Sequence, residues 1–99
     1  MARPRAEDIR EIAIALDPEF AEAVSRWDIR VGEDWRGEPG VFVTIVLRDD
    51  GARAVWPTRD GYRTRLLQAL LEALPEDYFP FISFSAESIA LNPEIPVRA

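Results

Sequence analysis

The side chains that could do chemistry in this chain are carboxylates, hydroxyls and arginines, because the 99 residues include no histidine, cysteine or lysine. Without histidine or cysteine there is no Ser-His or Cys-His nucleophile, no disulfide and no zinc site of the usual nitrogen and sulfur type. Without lysine there is no Schiff-base chemistry and no P-loop lysine. The residue types therefore predict a protein that is not an enzyme and has no catalytic, metal-binding or cofactor-binding residues.

Adjacent carboxylates are the remaining candidates for acid-base chemistry, with a tyrosine as partner, or for binding a hard cation such as Mg²⁺. The pairs are Glu33/Asp34, Asp49/Asp50 and Glu76/Asp77, and the tyrosines are Tyr62 and Tyr78. Each pair falls in a predicted turn, where acidic residues are common for backbone reasons, and no spacing matches a calcium loop. A carboxylate-dependent hydrolase is therefore the least favoured of the functions considered.

The loop Glu33–Glu38 combines an aromatic side chain and an arginine with carboxylates and a glycine. Loops carry recognition more often than the elements they connect, and Trp and Arg are enriched among interface anchors. The sequence therefore predicts a partner-binding site that contains Glu33, Asp34, Trp35 and Arg36. A hairpin loop whose Trp35 folds back over the sheet to cap the core explains the same residues, and this alternative stays open.

Residues 48–65 contain five arginines and three aspartates, so this stretch is locally positive on an acidic protein. If Arg59 and Arg63 share the first turns of a helix, a phosphate or a carboxylate-rich partner could dock there, and both are expected partner-binding residues. The alternative is a solvated helix face beside an edge strand protected by charge. An Arg face of Arg53, Arg59, Arg63 and Arg65 would make the protein a small RNA- or phosphate-binding domain.

The formal net charge of −6 favours a protein partner over nucleic acid or an anionic membrane, both of which are held largely by cationic contacts. No apolar run approaches the roughly 20 residues of a membrane-spanning helix. The stretch Met1–Arg10 is charged where a signal peptide would be apolar. The sequence therefore predicts a cytoplasmic protein that does not associate with membranes.

Three helices are expected to position these side chains. The first begins at Ala6, and Asp17-Pro18-Glu19 is typical of the start of a second, short helix that Asp17 caps. The third is capped by Thr58 or Asp60. Apolar residues at helical spacing define its inner face, which consists of Leu66, Leu67, Leu70, Ala73 and Leu74.

The strands are predicted from alternation and from β-branched runs. Trp27–Val31 alternates apolar and charged residues, and Val41–Leu47 is typical of a central strand covered on both faces. Phe79–Phe84 indicates a final strand, and Ala52–Trp56 could be a short edge strand after a turn. The aromatic residues expected in the core are Trp27, Phe42, Phe81 and Phe84.

Together these elements predict one α+β domain over residues 1–99, with irregular tails at 1–6 and 93–99. The sheet is small, mixed or antiparallel, with three to four strands and two to three helices on one face, in the order α-α-β-β-(β)-α-β. This order is similar to that of KH-like and other small α+β sandwich folds, although no Gly-X-X-Gly loop lies between helices.

The favoured function is a non-catalytic acidic interaction or accessory module, antitoxin-like or a subunit of a complex. Such a module would self-associate, for example as a dimer, or bind a larger and more basic partner. The RNA- or phosphate-binding domain with an Arg face is the alternative.

Overall fold

The computed structural model describes residues 4–90, and its α+β fold has the predicted order α-α-β-β-α-β. The elements are α1 (Ala6–Leu16), α2 (Pro18–Ala21), β1 (Val24–Glu33), β2 (Pro39–Leu47), α3 (Asp49–Val55), a 3₁₀ turn (Trp56–Thr58), α4 (Arg59–Ala73), β3 (Phe79–Ala86) and α5 (Glu87–Ala90). Asp17 caps α2 as predicted, because its carboxylate accepts a hydrogen bond from the Phe20 backbone N–H at 3.0 Å.

The sheet has the strand order β1-β2-β3, so β2 is central, as predicted. β1 and β2 form an antiparallel hairpin, whereas β2 and β3 run parallel. A parallel pair needs a long crossover, and α3 with α4 supplies it. The sheet is therefore mixed and has three strands.

The helices cover one face of this sheet, which we call the inner face. Alternate residues of β2, from Val41 to Leu47, lie on this face and are fully buried together with Leu66 and Leu70 of α4. Helix α1 adds Ile9 and Ala13 to the same core. Burial of these apolar side chains is the main stabilising contribution.

The optional edge strand at Ala52–Trp56 was the wrong interpretation of that segment, because residues 49–55 form helix α3. Asp49 and Asp50 lie in its first turn, where negative charge is favourable against the helix dipole. Gly51 lets α3 approach the connection between α2 and β1 closely, since a methyl group built on Gly51 would lie 3.0 Å from the Ala23 Cβ atom. Tertiary packing thus outweighs the turn signal of Asp49-Asp50-Gly51.

The expectation that Phe42 and Phe81 belong to the core was also wrong. Side chains of a strand alternate between two faces, and the inner positions of β2 and β3 are taken by residues such as Val43 and Ile82. Phe42 and Phe81 therefore lie on the opposite side of the sheet. Trp27 and Phe84, by contrast, pack partly buried against the core as expected.

The ends of the chain are only partly described. Residues 1–3 and 91–99 lie outside the described range, and with them the predicted irregular tail at 93–99. Within residues 4–90 no helix combines the length and the apolar character needed to cross a membrane.

Candidate functional site: an aromatic sheet face

The sheet face opposite the helices, which we call the outer face, differs from strand to strand. On β1 the outer-face side chains are mostly charged. On β2 and β3 they are aromatic near the β1–β2 hairpin loop and smaller farther along the strands. The outer-face residues used below are Arg26, Asp28, Arg30, Gly32, Gly40, Phe42, Thr44, Phe79, Phe81, Ser83 and Ser85.

Four rings form a continuous aromatic cluster at the hairpin end of the outer face, defined by Trp35, Phe42, Phe79 and Phe81. Phe81 is central: it stacks on Phe42 at 5.1 Å between ring centroids and with 10° between planes. Phe79 meets it edge-on at 5.1 Å, and Trp35 is tilted over it at 5.9 Å. Such pairs add to stability beyond simple area burial.

Gly40 makes room for the two stacked rings. A methyl group at this position would lie 3.2 Å from the Phe81 Cε2 atom and 3.3 Å from the Phe42 Cζ atom. Both rings therefore lean over the glycine, which carries no side chain of its own. Aromatic rings pack over glycines in this way in other β-sheets and stabilise the strand at the glycine.

The β1–β2 loop holds Trp35 through a compact turn built on Asp34. The Asp34 carboxylate accepts hydrogen bonds from the backbone N–H groups of Arg36 at 2.8 Å and Glu38 at 2.9 Å. These bonds, first the one from Glu38, lower the pKa of Asp34 below its usual value. Gly37 has φ +81°, a conformation that favours glycine. The loop is therefore ordered by its own backbone.

Arginines surround the aromatic cluster, and an equal number of carboxylates lies near them. The Arg30 guanidinium lies 4.8 Å above the Phe42 ring, and that of Arg36 lies 5.8 Å from the Trp35 ring. Arg26 pairs with Asp28 at 4.0 Å, and Arg36 pairs with Asp34 and Glu38. Around the cluster, three arginines and the three carboxylates of Asp28, Asp34 and Glu38 balance in charge, although only Arg26 and Arg36 form these ion pairs. The outer face is locally neutral on a chain of net charge −6.

The structure brings only part of the predicted site together. Trp35 and Arg36 join the aromatic cluster, and Asp34 positions them. Glu33 ends β1 at an inner-face position, in register with Pro39. Trp35 does not cap the helix-side core, because its ring lies against Phe81 and is 79% exposed.

The predicted arginines of α4 point in different directions. Arg59 lies over the Trp56 ring at 4.3 Å, and Arg63 pairs with Asp60 at 3.7 Å. Arg65 reaches Asp17 of the α2 cap at 3.1 Å. The side chain of Arg53 is outside the described part of the chain. The described arginines of this stretch therefore do not converge on one phosphate-sized position.

The tyrosine considered for acid-base chemistry has a structural role. Tyr62 is fully buried, stacks on Phe20 at 4.2 Å, and donates its hydroxyl to the Ala13 carbonyl oxygen at 2.6 Å. Burial raises its pKa well above the usual value. Across residues 4–90 no group of three or more acidic side chains is placed to hold a metal ion.

A cleft of about 610 Å³ lies on the helical side, between α2, α3 and the start of α4. Phe20 and Val55 contribute apolar walls. Its arginines already form ion pairs, Arg65 with Asp17 at 3.1 Å and Arg48 with Asp50 at 3.8 Å. The cleft therefore offers weaker recognition chemistry than the aromatic cluster.

Sequence reasoning missed Phe79 as a site residue. The available signal was the Phe79-Pro80-Phe81 segment followed by Ser83 and Ser85, which places two aromatics and two hydroxyls at alternate positions. Two phenylalanines on the same side as two serines indicate a solvent-facing surface with an apolar end.

Comparisons with known proteins yield no match, whether to a protein-family model, to a curated protein or to a solved structure. The fold and the site therefore define the class of the molecule by themselves: a small α+β domain with one helix-covered and one aromatic sheet face.

Proposed function

We propose that the protein is a non-catalytic interaction module of the cytoplasm, an accessory subunit that binds another protein chain through the aromatic cluster on its outer face. The observation that carries this proposal is the continuous contact of Trp35, Phe42, Phe79 and Phe81 on the sheet face opposite the helices. Aromatic side chains flanked by arginine are the typical anchors of protein interfaces.

The exposed area supports an anchor role. Trp35 is 79% and Phe79 is 50% exposed, the two highest values among the large hydrophobic side chains that the structure describes. Since an aromatic side chain covers 150–250 Å², these two alone leave on the order of 250 Å² in contact with water. Transfer of that area out of water is worth about 6 kcal/mol before the costs of association are subtracted.

Charge favours protein over single-stranded nucleic acid as the ligand. A nucleic-acid platform combines stacking rings with a positively charged groove. Of the two arginines that lie over the rings, Arg30 and Arg36, the second is paired with carboxylates, and the whole chain is acidic. A neutral aromatic surface is compatible with a protein interface, whose core is depleted of net charge.

The test is site-specific photo-cross-linking in cells that express the full chain. A benzophenone amino acid replaces Phe79, and the matched control replaces Leu71 of α4, which is 49% exposed. We expect a protein adduct at position 79 and none at 71. After the adduct is identified and the complex reconstituted from purified chains, Phe79→Ser should weaken binding at least tenfold, and Leu71→Ser should leave it unchanged. Equal adducts at both positions, no protein adduct, or an RNA adduct at 79 would overturn the proposal.

A further inference from the structure

We infer that the chain seated on the aromatic cluster is a second copy of this protein, packed face to face about a two-fold axis that runs parallel to the strands. This inference rests on the proposed function and names its partner. Two sheets that pack face to face keep their strands nearly aligned and lie about 10 Å apart. Three features of the outer face select the second copy and its orientation.

The first feature is electrostatic. Two chains of net charge −6 repel each other, so they associate most easily where each surface is locally neutral. The outer face is such a surface, since the charges of Arg26, Arg30 and Arg36 balance those of three nearby carboxylates. Any large excess of one sign on this face would disfavour a second copy.

The second feature is that the outer-face side chains of β1 complement those of β3, the two edge strands of the sheet. In the sheet, Arg30, Phe42 and Phe81 share one row, and Asp28, Thr44 and Ser83 share the next. A two-fold axis parallel to β2 places β1 of one copy over β3 of the other. Arg30 then lies over the Phe81 ring of the second copy, and Asp28 lies over the hydroxyl of its Ser83. The second is a hydrogen bond to a charged group. The first places a guanidinium against the aromatic cluster and not against a free ring face, because Phe42 and Trp35 already lie against Phe81.

The third feature is shape. The same axis places the half-exposed ring of Phe79 from the second copy over Gly32, at the level of Gly40. The space above Gly32 is open, since a methyl group built there would meet no atom within 4 Å. A protruding ring on one edge thus faces a gap on the other, and the two-fold symmetry forms this contact twice.

In the other two-fold arrangement of the same faces, the contacts between charges depend on where the axis lies along β1. An axis perpendicular to the strands places β1 over β1. If it passes through the Asp28 row, Asp28 faces Asp28 of the second copy and Arg26 faces its Arg30; if it passes between Asp28 and Arg30, these two face each other, and the cross-linking below distinguishes that arrangement from the parallel axis. Like charges opposite each other destabilise an interface. The parallel axis avoids the like-charge contact of the first case.

The dimer is expected to be weak. Three strands about 4.8 Å apart, with nine residues at about 3.3 Å each, give a face of at most about 400 Å², and its far end is already covered, since Val46 is only 2% exposed there. A standard interface buries roughly 800 Å² per partner. Association is therefore expected at micromolar to millimolar concentrations. Light scattering should show the average molecular mass rising above that of the monomer as the protein concentration increases through this range.

Cysteine cross-linking tests the arrangement directly, because the chain contains no cysteine and each variant has a single thiol. Thr44→Cys, Asp28→Cys and Ser83→Cys lie in one row of the outer face. Gln68→Cys, on the exposed side of α4, measures random collision. Each variant is treated with a short bismaleimide, alone and in equal mixtures.

We expect Thr44→Cys to cross-link with itself, and the mixture of Asp28→Cys with Ser83→Cys to cross-link several-fold more than either variant alone. Stronger self-linking of Asp28→Cys would overturn the parallel axis. A chain that stays monomeric and gives only the Gln68→Cys background would overturn the second copy as partner. A Phe79 photo-adduct with a different protein would leave the proposed function standing in that case, whereas no protein adduct would remove both.

Discussion

Tyr62 shows at the scale of one residue how this small core is held together. Its ring joins α4 to α2 through Phe20, and its hydroxyl satisfies the Ala13 carbonyl oxygen of α1. Tyr62→Phe leaves that buried acceptor without a partner, and we expect a loss of about 1–2 kcal/mol in the free energy of unfolding at pH 7. Urea denaturation measures it, with Tyr78→Phe as the control for a tyrosine that is only partly buried.

The same tyrosine predicts a pH dependence. Burial raises the pKa of Tyr62 in the folded chain above the value of about 10 that it has when unfolded. The folded state therefore holds this proton more tightly, so its contribution is complete below pH 10 and is lost as the pH rises further. Wild-type protein should lose stability above pH 10 more steeply than Tyr62→Phe. Parallel curves for the two proteins would show that the hydroxyl has no such role.

Asp34 is a positioning residue for the aromatic cluster. Asp34→Ala removes the acceptor for two backbone N–H groups of the loop, so Trp35 loses its fixed place over Phe81. We expect the cross-linking yield of Thr44→Cys to fall several-fold in this background, with the melting temperature lowered by only a few degrees. Asp60→Ala, which removes an exposed ion pair on α4, serves as control. A large drop in melting temperature would instead indicate that Asp34 supports the fold.

At the scale of elements, two glycines in helices should respond oppositely to the same substitution. Gly61→Ala in α4 meets no atom within 4 Å and should raise stability by about 1 kcal/mol through helix propensity. Gly51→Ala in α3 would place its methyl group 3.0 Å from the Ala23 Cβ atom and 3.2 Å from its Cα atom. We expect that variant to be destabilised, since backbone must move. Thermal unfolding of both variants measures the two effects, and stabilisation by Gly51→Ala would contradict the close packing of α3 on the connection between α2 and β1.

The elements also show what the sequence could predict. Helical spacing placed α1 and the buried residues Leu66 and Leu70 of α4 correctly, because one periodic face per helix is packed. In β3, apolar residues occupy both faces, so alternation could not tell that Phe81 points away from the helices. For α3, the deciding contact is Gly51 with Ala23, which no local pattern reveals.

Only the part of the candidate site that lies within a single loop could be predicted from the sequence. Trp35 and Arg36 were identified because they share one loop with glycines and carboxylates. The contact of Trp35 with Phe81 joins residues far apart in the chain, and it depends on the parallel placement of β3 beside β2. The aromatic cluster therefore emerges from the topology and not from any segment alone.

At the scale of the whole molecule, salt concentration should distinguish a second copy from a single-stranded nucleic acid as the ligand of the aromatic sheet face. Two copies of net charge −6 repel, and salt screens that repulsion over about 10 Å at 0.1 M ionic strength. Self-association should therefore strengthen several-fold between low and moderate salt, as measured by light scattering at fixed protein concentration. Binding of a single-stranded oligonucleotide would weaken over the same range, because counterions are released when phosphates are neutralised.

Phe79→Ser and Leu71→Ser complete this salt test. Both variants keep the net charge, so the long-range repulsion between copies is unchanged. Phe79→Ser should abolish self-association at every salt concentration, because it removes the ring that faces Gly32 of the second copy. Leu71→Ser should follow the wild-type curve. If both variants behaved alike, association would depend on general hydrophobic exposure, and the outer face would not be its site.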